Sequence, residues 1–107
     1  MFTFIESNFF ERELPNYLDD DEYSELQTYL VNRPEAGDII PGSGGVRKLR
    51  WGAQGKGKRG GLRVIYYIKL NPNEMWMLAV YAKSRQANAP AHILRQLKEE
   101  MENEQKT

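Results

Sequence analysis

The sequence is poor in several residue types on which common functional sites depend. Its 107 residues include no cysteine and only one histidine, His92. The lack of cysteine excludes a disulfide framework and a thiolate metal site, and one histidine without partners indicates a surface or cap residue. No apolar run approaches the ~20 residues of a membrane span. The first ten residues lack the basic region and cleavage site of a signal peptide. We therefore expect a cytoplasmic protein without a metal or other cofactor.

Positive charge is concentrated in one segment of a chain whose net charge is zero. Residues 1–46 contain ten acids and two bases, whereas residues 47–69 contain eight bases and no acid. Residues 70–107 contain five of each. This asymmetry indicates an anionic partner for the middle segment. The alternative interpretation is that the glycine-rich part of this segment is only a solvated loop.

The hydrophobic pattern predicts one α+β domain over residues 1–107, with a small, mainly antiparallel sheet. The predicted order is β-α-α-β-β-β-α, with two N-terminal helices on one face of the sheet and a helix at the C-terminus. The two late strands are nearly continuous in apolar residues, which is typical of central strands covered on both faces. Strands are predicted at 2–5, 46–51, 62–70 and 75–83, and the last helix at 91–105.

Capping residues and prolines predict where the early helices begin and end. Ser7 is a suitable N-cap for the first helix, and Pro15 shortens or kinks it. Asp19 and Glu22 have the spacing of a capping box at the start of the second helix. Pro34 ends that helix, and residues 35–45 are rich in turn-forming types.

The segment GAQGKGKR, residues 52–59, has the spacing of a phosphate-binding P-loop up to its last position. A P-loop needs Ser or Thr there to hold magnesium, whereas this chain has Arg59. A P-loop also leads into a helix, whereas here a strand is predicted to follow. The sequence therefore argues against a nucleotide-hydrolysing enzyme.

The strand period brings basic and tyrosine side chains to the same face of the sheet. In LRVIYYI, alternation places Arg63, Ile65 and Tyr67 on one face, and in the next strand it places Tyr81 with Lys83. Cations that bind phosphate, combined with aromatic rings that stack on bases, are typical of sites for single-stranded RNA or DNA.

Three phrases of the sequence resemble a known family. VRKLRW, KGKRGGLRVIYY and LAVYAK, after an acidic two-helix start, resemble the RelE/ParE superfamily of bacterial toxins, and most of all its HigB-like members. The resemblance covers most of the chain. It implies a RelE-like fold and a ribosome-dependent mRNA endoribonuclease (an mRNA interferase) that uses no metal. In such enzymes the 2′-hydroxyl attacks the adjacent phosphate, leaving a 2′,3′-cyclic phosphate and a 5′-hydroxyl.

The resemblance also implies roles for individual residues. Arg63 matches an arginine that stabilises charge at the phosphate. Lys48 matches a basic position on the preceding strand, although the register also allows Arg47 or Arg50, and neighbouring arginines favour a lysine that acts as a base. Lys83 matches a basic residue that serves the leaving group or a phosphate. RelE has a tyrosine in its final helix region where this chain has none, so a participating tyrosine must be Tyr81 or Tyr67. The residues expected to bind RNA are Arg47, Arg50, Lys56, Lys58, Arg59, Tyr67 and Arg85.

A toxin of this kind implies a neutralising partner. HigB-like toxins are paired with a small antitoxin that carries a helix-turn-helix DNA-binding domain, and their other partners are the ribosome and mRNA. Two alternatives stay open at this point. ParE-like members of the superfamily inhibit DNA gyrase and cut no RNA, and the basic segment alone is also compatible with a non-catalytic RNA-binding module.

Overall fold

A five-stranded sheet with helices on both faces forms the fold. The computed structural model describes residues 2–52, 61–83 and 90–106. Within them the strand order across the sheet is β1-β5-β4-β3-β2. The elements are β1 (Thr3–Glu6), α1 (Asn8–Glu13), a 3₁₀ turn (Leu14–Asn16), α2 (Asp20–Asn32), β2 (Asp38–Ile39), β3 (Arg47–Trp51), β4 (Leu62–Lys69), β5 (Glu74–Ala82) and α3 (Ala91–Lys106).

Strands β3, β4 and β5 form an antiparallel meander, and β1 pairs with β5 in parallel. The predicted α+β class, the mainly antiparallel sheet and the central position of the two late strands are confirmed. One strand was not predicted: β2 lies within residues 35–45, where we expected only turns. It has two residues, which pair with Arg47 and Lys48, and two residues are too few to show a strand period.

The early helices begin where their capping residues predict. The Ser7 hydroxyl accepts a hydrogen bond from the Phe10 N–H at 2.9 Å. Asp19 and Glu22 form the expected capping box, because each side chain accepts from the other residue's backbone N–H, at 2.8 and 2.9 Å. Pro15 lies in the 3₁₀ turn, just after α1 ends. These contacts satisfy backbone donors that a helix start leaves without partners.

Alternation along β4 builds two separate cores, one on each face of the sheet. Val64 and Tyr66 lie on the face covered by α1 and α2, together with Phe10. Ile65 lies on the opposite face, together with Leu94 of α3. The register of β4 with β5 shifts between Ile65 and Tyr66, where β5 carries an additional residue. Neighbouring residues of β4 therefore belong to different cores, one under α1 and α2 and the other under α3.

Two side chains fasten the segment after α2 to the α1–α2 face. The Tyr66 hydroxyl donates to the Pro34 carbonyl at 2.7 Å and accepts from the Gly37 N–H at 2.9 Å. Arg47 Nη1 donates to the Gly37 carbonyl at 2.7 Å. A Cβ atom at Gly37 would lie 2.9 Å from the Tyr66 ring, so this close approach requires glycine.

Of the helices in the described ranges, none is long and apolar enough to cross a membrane.

Candidate functional site

The strand register places two arginines and a tyrosine in one row across the sheet. Arg50 of β3 lies opposite Arg63 of β4, and Arg63 lies opposite Tyr81 of β5. Neighbouring strands are about 4.8 Å apart, so the row spans roughly 10 Å. Tyr81 belongs to the core on the α3 face. Arg63 lies two residues before Ile65 of that core, so it points to the same face. Arg50 is paired with Arg63 and therefore shares that face. We call Arg50, Arg63 and Tyr81 the arginine row.

The middle of the arginine row is buried and its outer end is open. Arg63 is 7% exposed and Tyr81 is 5% exposed, whereas Arg50 is exposed. Burying a guanidinium is costly unless its donors have partners, and Arg63 Nη1 donates to the Leu62 carbonyl at 3.4 Å. Because Arg63 lies in a central strand, its charge is held on a rigid element instead of a loop.

The arginine row also concentrates like charge. Like charges directly opposite each other on paired strands destabilise a sheet. Each guanidinium has five N–H donors in a planar fork, which matches the oxygens of a phosphate. A bound anion would therefore remove a repulsion that the unliganded protein carries, and the row is chemically suited to phosphate.

Tyr81 is a hydrogen-bond donor at neutral pH. Burial raises the pKa of its hydroxyl, and the neighbouring Arg63 charge opposes this rise with a smaller effect. The hydroxyl therefore stays protonated well above pH 7. A protonated phenol beside the Arg63 guanidinium can donate a hydrogen bond, or a proton, to an oxygen that Arg63 holds.

Two lysines flank the arginine row. Lys48 precedes Arg50 by two residues, so it lies on the same face of β3, and it pairs with Ile65. Lys83 directly follows β5 and is exposed, and its N–H donates to the Gly61 carbonyl at 3.4 Å. Lys48 and Lys83 thus stand on either side of the row.

The glycine-rich loop begins and ends beside this row. Trp51 pairs with Leu62 one position beyond the Arg50–Arg63 pair. Gly61 has φ +57°, and a Cβ atom there would lie 2.7 Å from the Trp51 carbonyl oxygen, so only glycine suits this position. The predicted RNA-binding residues Lys56, Lys58, Arg59 and Arg85 lie outside the described residues.

The structure does not bring two of the predicted RNA-binding residues to the row. Arg47 points to the α1–α2 face, where it donates to the Gly37 carbonyl. Tyr67 shares the face of Arg63 but lies four residues further along β4, which is about 13 Å away. Its ring contacts Trp76, with centroids 5.7 Å apart, and Lys98 Nζ lies 4.9 Å from its centroid. Both side chains therefore have structural contacts away from Arg63.

Two open clefts lie on the α1–α2 side, away from the buried guanidinium. The larger, of about 640 Å³, includes Phe2, Pro34 and Leu70 in its lining. The smaller, of about 490 Å³, lies between α2 and Trp51. Within the arginine row only Arg50 presents exposed surface, whereas Arg63 and Tyr81 are buried beside it.

The sequence pattern had not shown that Arg50 is the partner of Arg63. The sequence offered only a choice among three basic residues of β3. Alternation separates Arg47 from Lys48 and Arg50, but it does not fix the register between β3 and β4.

A scan of the chain against models of known protein families finds no match.

Proposed function

We propose that this protein is the toxin of a toxin–antitoxin module and cleaves mRNA on the ribosome. The observation that carries the proposal is the arginine row, in which a buried Arg63 lies between Arg50 and Tyr81. Support also comes from the resemblance of the basic strand–loop–strand segment to RelE-like toxins, whose fold we propose for this chain. The order of strands and the helices on both faces are compatible with that fold.

The proposed reaction is a phosphoryl transfer within the RNA strand. The 2′-oxygen forms a bond to the adjacent phosphorus as its proton passes to a base. The bond from phosphorus to the 5′-oxygen breaks, and that oxygen takes a proton from an acid. The products are a 2′,3′-cyclic phosphate and a 5′-hydroxyl. The transition state concentrates negative charge on the phosphate oxygens, where fixed cations accelerate the reaction most.

We assign the roles from the position of each side chain. Arg63 and Arg50 hold the phosphate oxygens and stabilise their developing charge. Tyr81, whose raised pKa keeps it protonated, donates to the leaving 5′-oxygen. Lys48, on the same face as Arg50, is assigned as the base, and Lys83 at the end of β5 contacts a neighbouring phosphate.

The proposal includes partners and a compartment. Its substrate is mRNA in the ribosome, so the protein acts in the cytoplasm. Its neutralising partner is an antitoxin with a helix-turn-helix DNA-binding domain. The acidic residues of segment 1–46 repel phosphate, so they limit nonselective binding of RNA to the rest of the surface.

Primer extension on a defined mRNA in a reconstituted translation reaction tests the proposal. The wild-type protein should produce cuts at codon-spaced positions that require ribosomes. Arg63→Met keeps the side-chain length without the charge, and we expect it to remove cleavage while circular dichroism shows an intact fold. Arg12→Met is the matched control, because it makes the same change at an exposed arginine of α1, on the other side of the sheet, and should leave cleavage unchanged.

Two results would count against the proposed activity. Intact mRNA after incubation with folded wild-type protein would exclude this substrate, and a gyrase supercoiling assay would then test the ParE-like alternative. Equal loss of cleavage in Arg63→Met and Arg12→Met would show that total charge matters instead of the arginine row. RNA binding without a cut product would indicate a non-catalytic RNA-binding module.

A further inference from the structure

The smaller cleft lies at the same end of the sheet as the arginine row but on the opposite face. It has a volume of about 490 Å³, within the range of about 300–1,000 Å³ that is usual for ligand sites. One wall is a face of α2 and the other is the last residue of β3. Its lining consists of Ser24, Glu25, Thr28, Tyr29, Asn32 and Trp51. We call this cleft the α2 groove.

Each wall of the α2 groove contributes one aromatic ring, Tyr29 from α2 and Trp51 from β3. The rings of Tyr29 and Trp51 are 5.1 Å apart between centroids, with an angle of 56° between their planes. Both side chains are half-buried, so each is supported by the core and still presents surface to the groove. A supported aromatic ring with an open side is what a nucleobase stacks on.

The α2 wall also supplies hydrogen-bonding groups of the kind that base edges require. Ser24, Thr28 and Asn32 are four residues apart in succession, so they form one exposed stripe on α2. Hydroxyl and amide groups both donate and accept hydrogen bonds. The carboxylate of Glu25 accepts hydrogen bonds from amino groups and repels phosphate. This wall therefore favours an uncharged base over the sugar–phosphate backbone.

The position of Trp51 links the groove to the proposed cleavage site. Trp51 directly follows Arg50, and its partner on β4, Leu62, directly precedes Arg63. Because alternate residues of a strand point to opposite faces, Arg50 and Trp51 project to opposite sides of the same sheet end. A single RNA strand that passes around this end can place a phosphate at Arg50 and a nearby base at Trp51.

We propose that the α2 groove binds an unpaired base of the single-stranded RNA whose phosphate lies at the arginine row. The inference rests on the proposed function for the identity of that strand. The groove is a second contact beyond the reacting phosphate, and it would contribute affinity through stacking. Stacking does not release counterions, so this contribution should not depend on salt in the way that phosphate contacts do.

Tryptophan fluorescence gives a direct measurement of the groove. Trp76, the other tryptophan of the chain, is 0% exposed, so a ligand that stacks can reach only Trp51. The probe is a 2′-O-methyl RNA of mixed sequence and about 12 nucleotides, which spans a typical single-strand site and lacks the attacking hydroxyl. We expect it to quench the wild-type fluorescence, and we expect no quenching in Trp51→Phe, where only Trp76 emits.

Binding of the same probe with a 5′-fluorescent label, followed by anisotropy at several KCl concentrations, separates stacking from charge. Trp51→Leu should weaken binding by roughly five-fold or more, with an unchanged salt slope, whereas Trp51→Phe keeps a ring and should bind nearly as well as wild type. Asn32→Ala changes an exposed helix residue and should weaken binding without affecting the fold. Arg50→Gln should make the salt slope shallower by about 0.7.

Several outcomes would overturn base binding in the α2 groove and leave the nuclease proposal intact. One is that wild type cleaves mRNA but the probe does not quench Trp51. Another is that both Trp51→Leu and Asn32→Ala bind the probe with wild-type affinity. A shallower salt slope in Trp51→Leu would likewise overturn base stacking, because it would mean that a phosphate contact was lost. Tighter binding of a double-stranded RNA probe than of the single strand would do the same. Failure of the proposed function is seen separately, as intact mRNA in the ribosomal reaction.

Discussion

Replacement of Arg50 by glutamine should make the free protein more stable, although it removes part of the proposed site. Arg50 and Arg63 are direct neighbours on paired strands, and the Arg63 charge is buried. Opposed like charges on a sheet cost about 0.2–1 kcal/mol. Glutamine retains a similar stem and polar end group but carries no charge. The free energy of unfolding should rise by that amount, which corresponds to roughly 1–6 °C in Tm for a domain of this size.

Thermal unfolding followed by circular dichroism, at low and high KCl, measures this effect. Because Arg50 is exposed, added salt screens its repulsion, and the advantage of Arg50→Gln should shrink as ionic strength rises. Arg95→Gln is the matched control. Arg95 is also an exposed arginine, but its Nε lies 3.4 Å from a carboxylate oxygen of Glu99 on the same helix. Its replacement should lower stability by about 0.3–0.5 kcal/mol.

The sign of the difference in Tm between Arg50→Gln and wild type tests whether the two arginines repel each other. A lower Tm in Arg50→Gln than in wild type would show that the Arg50 charge is stabilising in the free protein. The pairing of Arg50 with Arg63 would then not be a net repulsion that a bound phosphate relieves. A higher Tm that does not depend on salt would also refute the argument, because the gain would come from packing or strand propensity instead of charge.

Three further predictions follow from individual hydroxyl groups. Tyr81→Phe should lower single-turnover cleavage by about 100-fold with the fold intact, and its raised pKa implies that the wild-type rate does not fall between pH 7 and 9 through loss of this proton. Tyr66→Phe should lower the urea midpoint without changing the m-value. It leaves the buried Gly37 N–H without its partner, which costs about 1–3 kcal/mol, and it removes the hydrogen bond to the half-buried Pro34 carbonyl. Burial also raises the pKa of Tyr23, so the folded state holds tyrosine protons more tightly than the unfolded chain does. Stability should therefore fall as pH rises above about 10, and a titration with constant stability from pH 9 to 12 would contradict this.

Much of the fold was predictable because its signals are local. Ser7 and Asp19 act on N–H groups only three residues away, so the sequence spacing alone identified both helix starts. The apolar run of β4 identified a central strand, because a strand covered on both faces has no polar side. Alternation also placed Val64 and Ile65 on opposite faces correctly.

The candidate site was predictable only as a list of basic and tyrosine residues. Which β3 residue faces Arg63 depends on the register between two strands, and the connecting loop determines that register. A period of two placed Tyr67 on the correct face, and its spacing of four residues from Arg63 already implies about 13 Å. Its contacts with Trp76 and Lys98 depend on β5 and α3, which the period of β4 does not describe. Arg47 has the same charge and strand as Arg50. Arg47 differs from Arg50 only in pointing to the other face of the sheet. There it donates a hydrogen bond to the carbonyl of Gly37, ten residues earlier in the chain.

The location of the arginine row on β3, β4 and β5 explains how the fold tolerates its repulsion. These strands pair over most of their length, and β4 and β5 together supply five buried side chains to each of the two cores. A repulsion of about 1 kcal/mol is small beside the several kcal/mol that each large buried side chain contributes. The same pairing fixes the backbone positions of both arginines, and burial holds the Arg63 side chain in place. An anion that binds there therefore meets donors already in position, and little of its binding free energy is spent on ordering the protein.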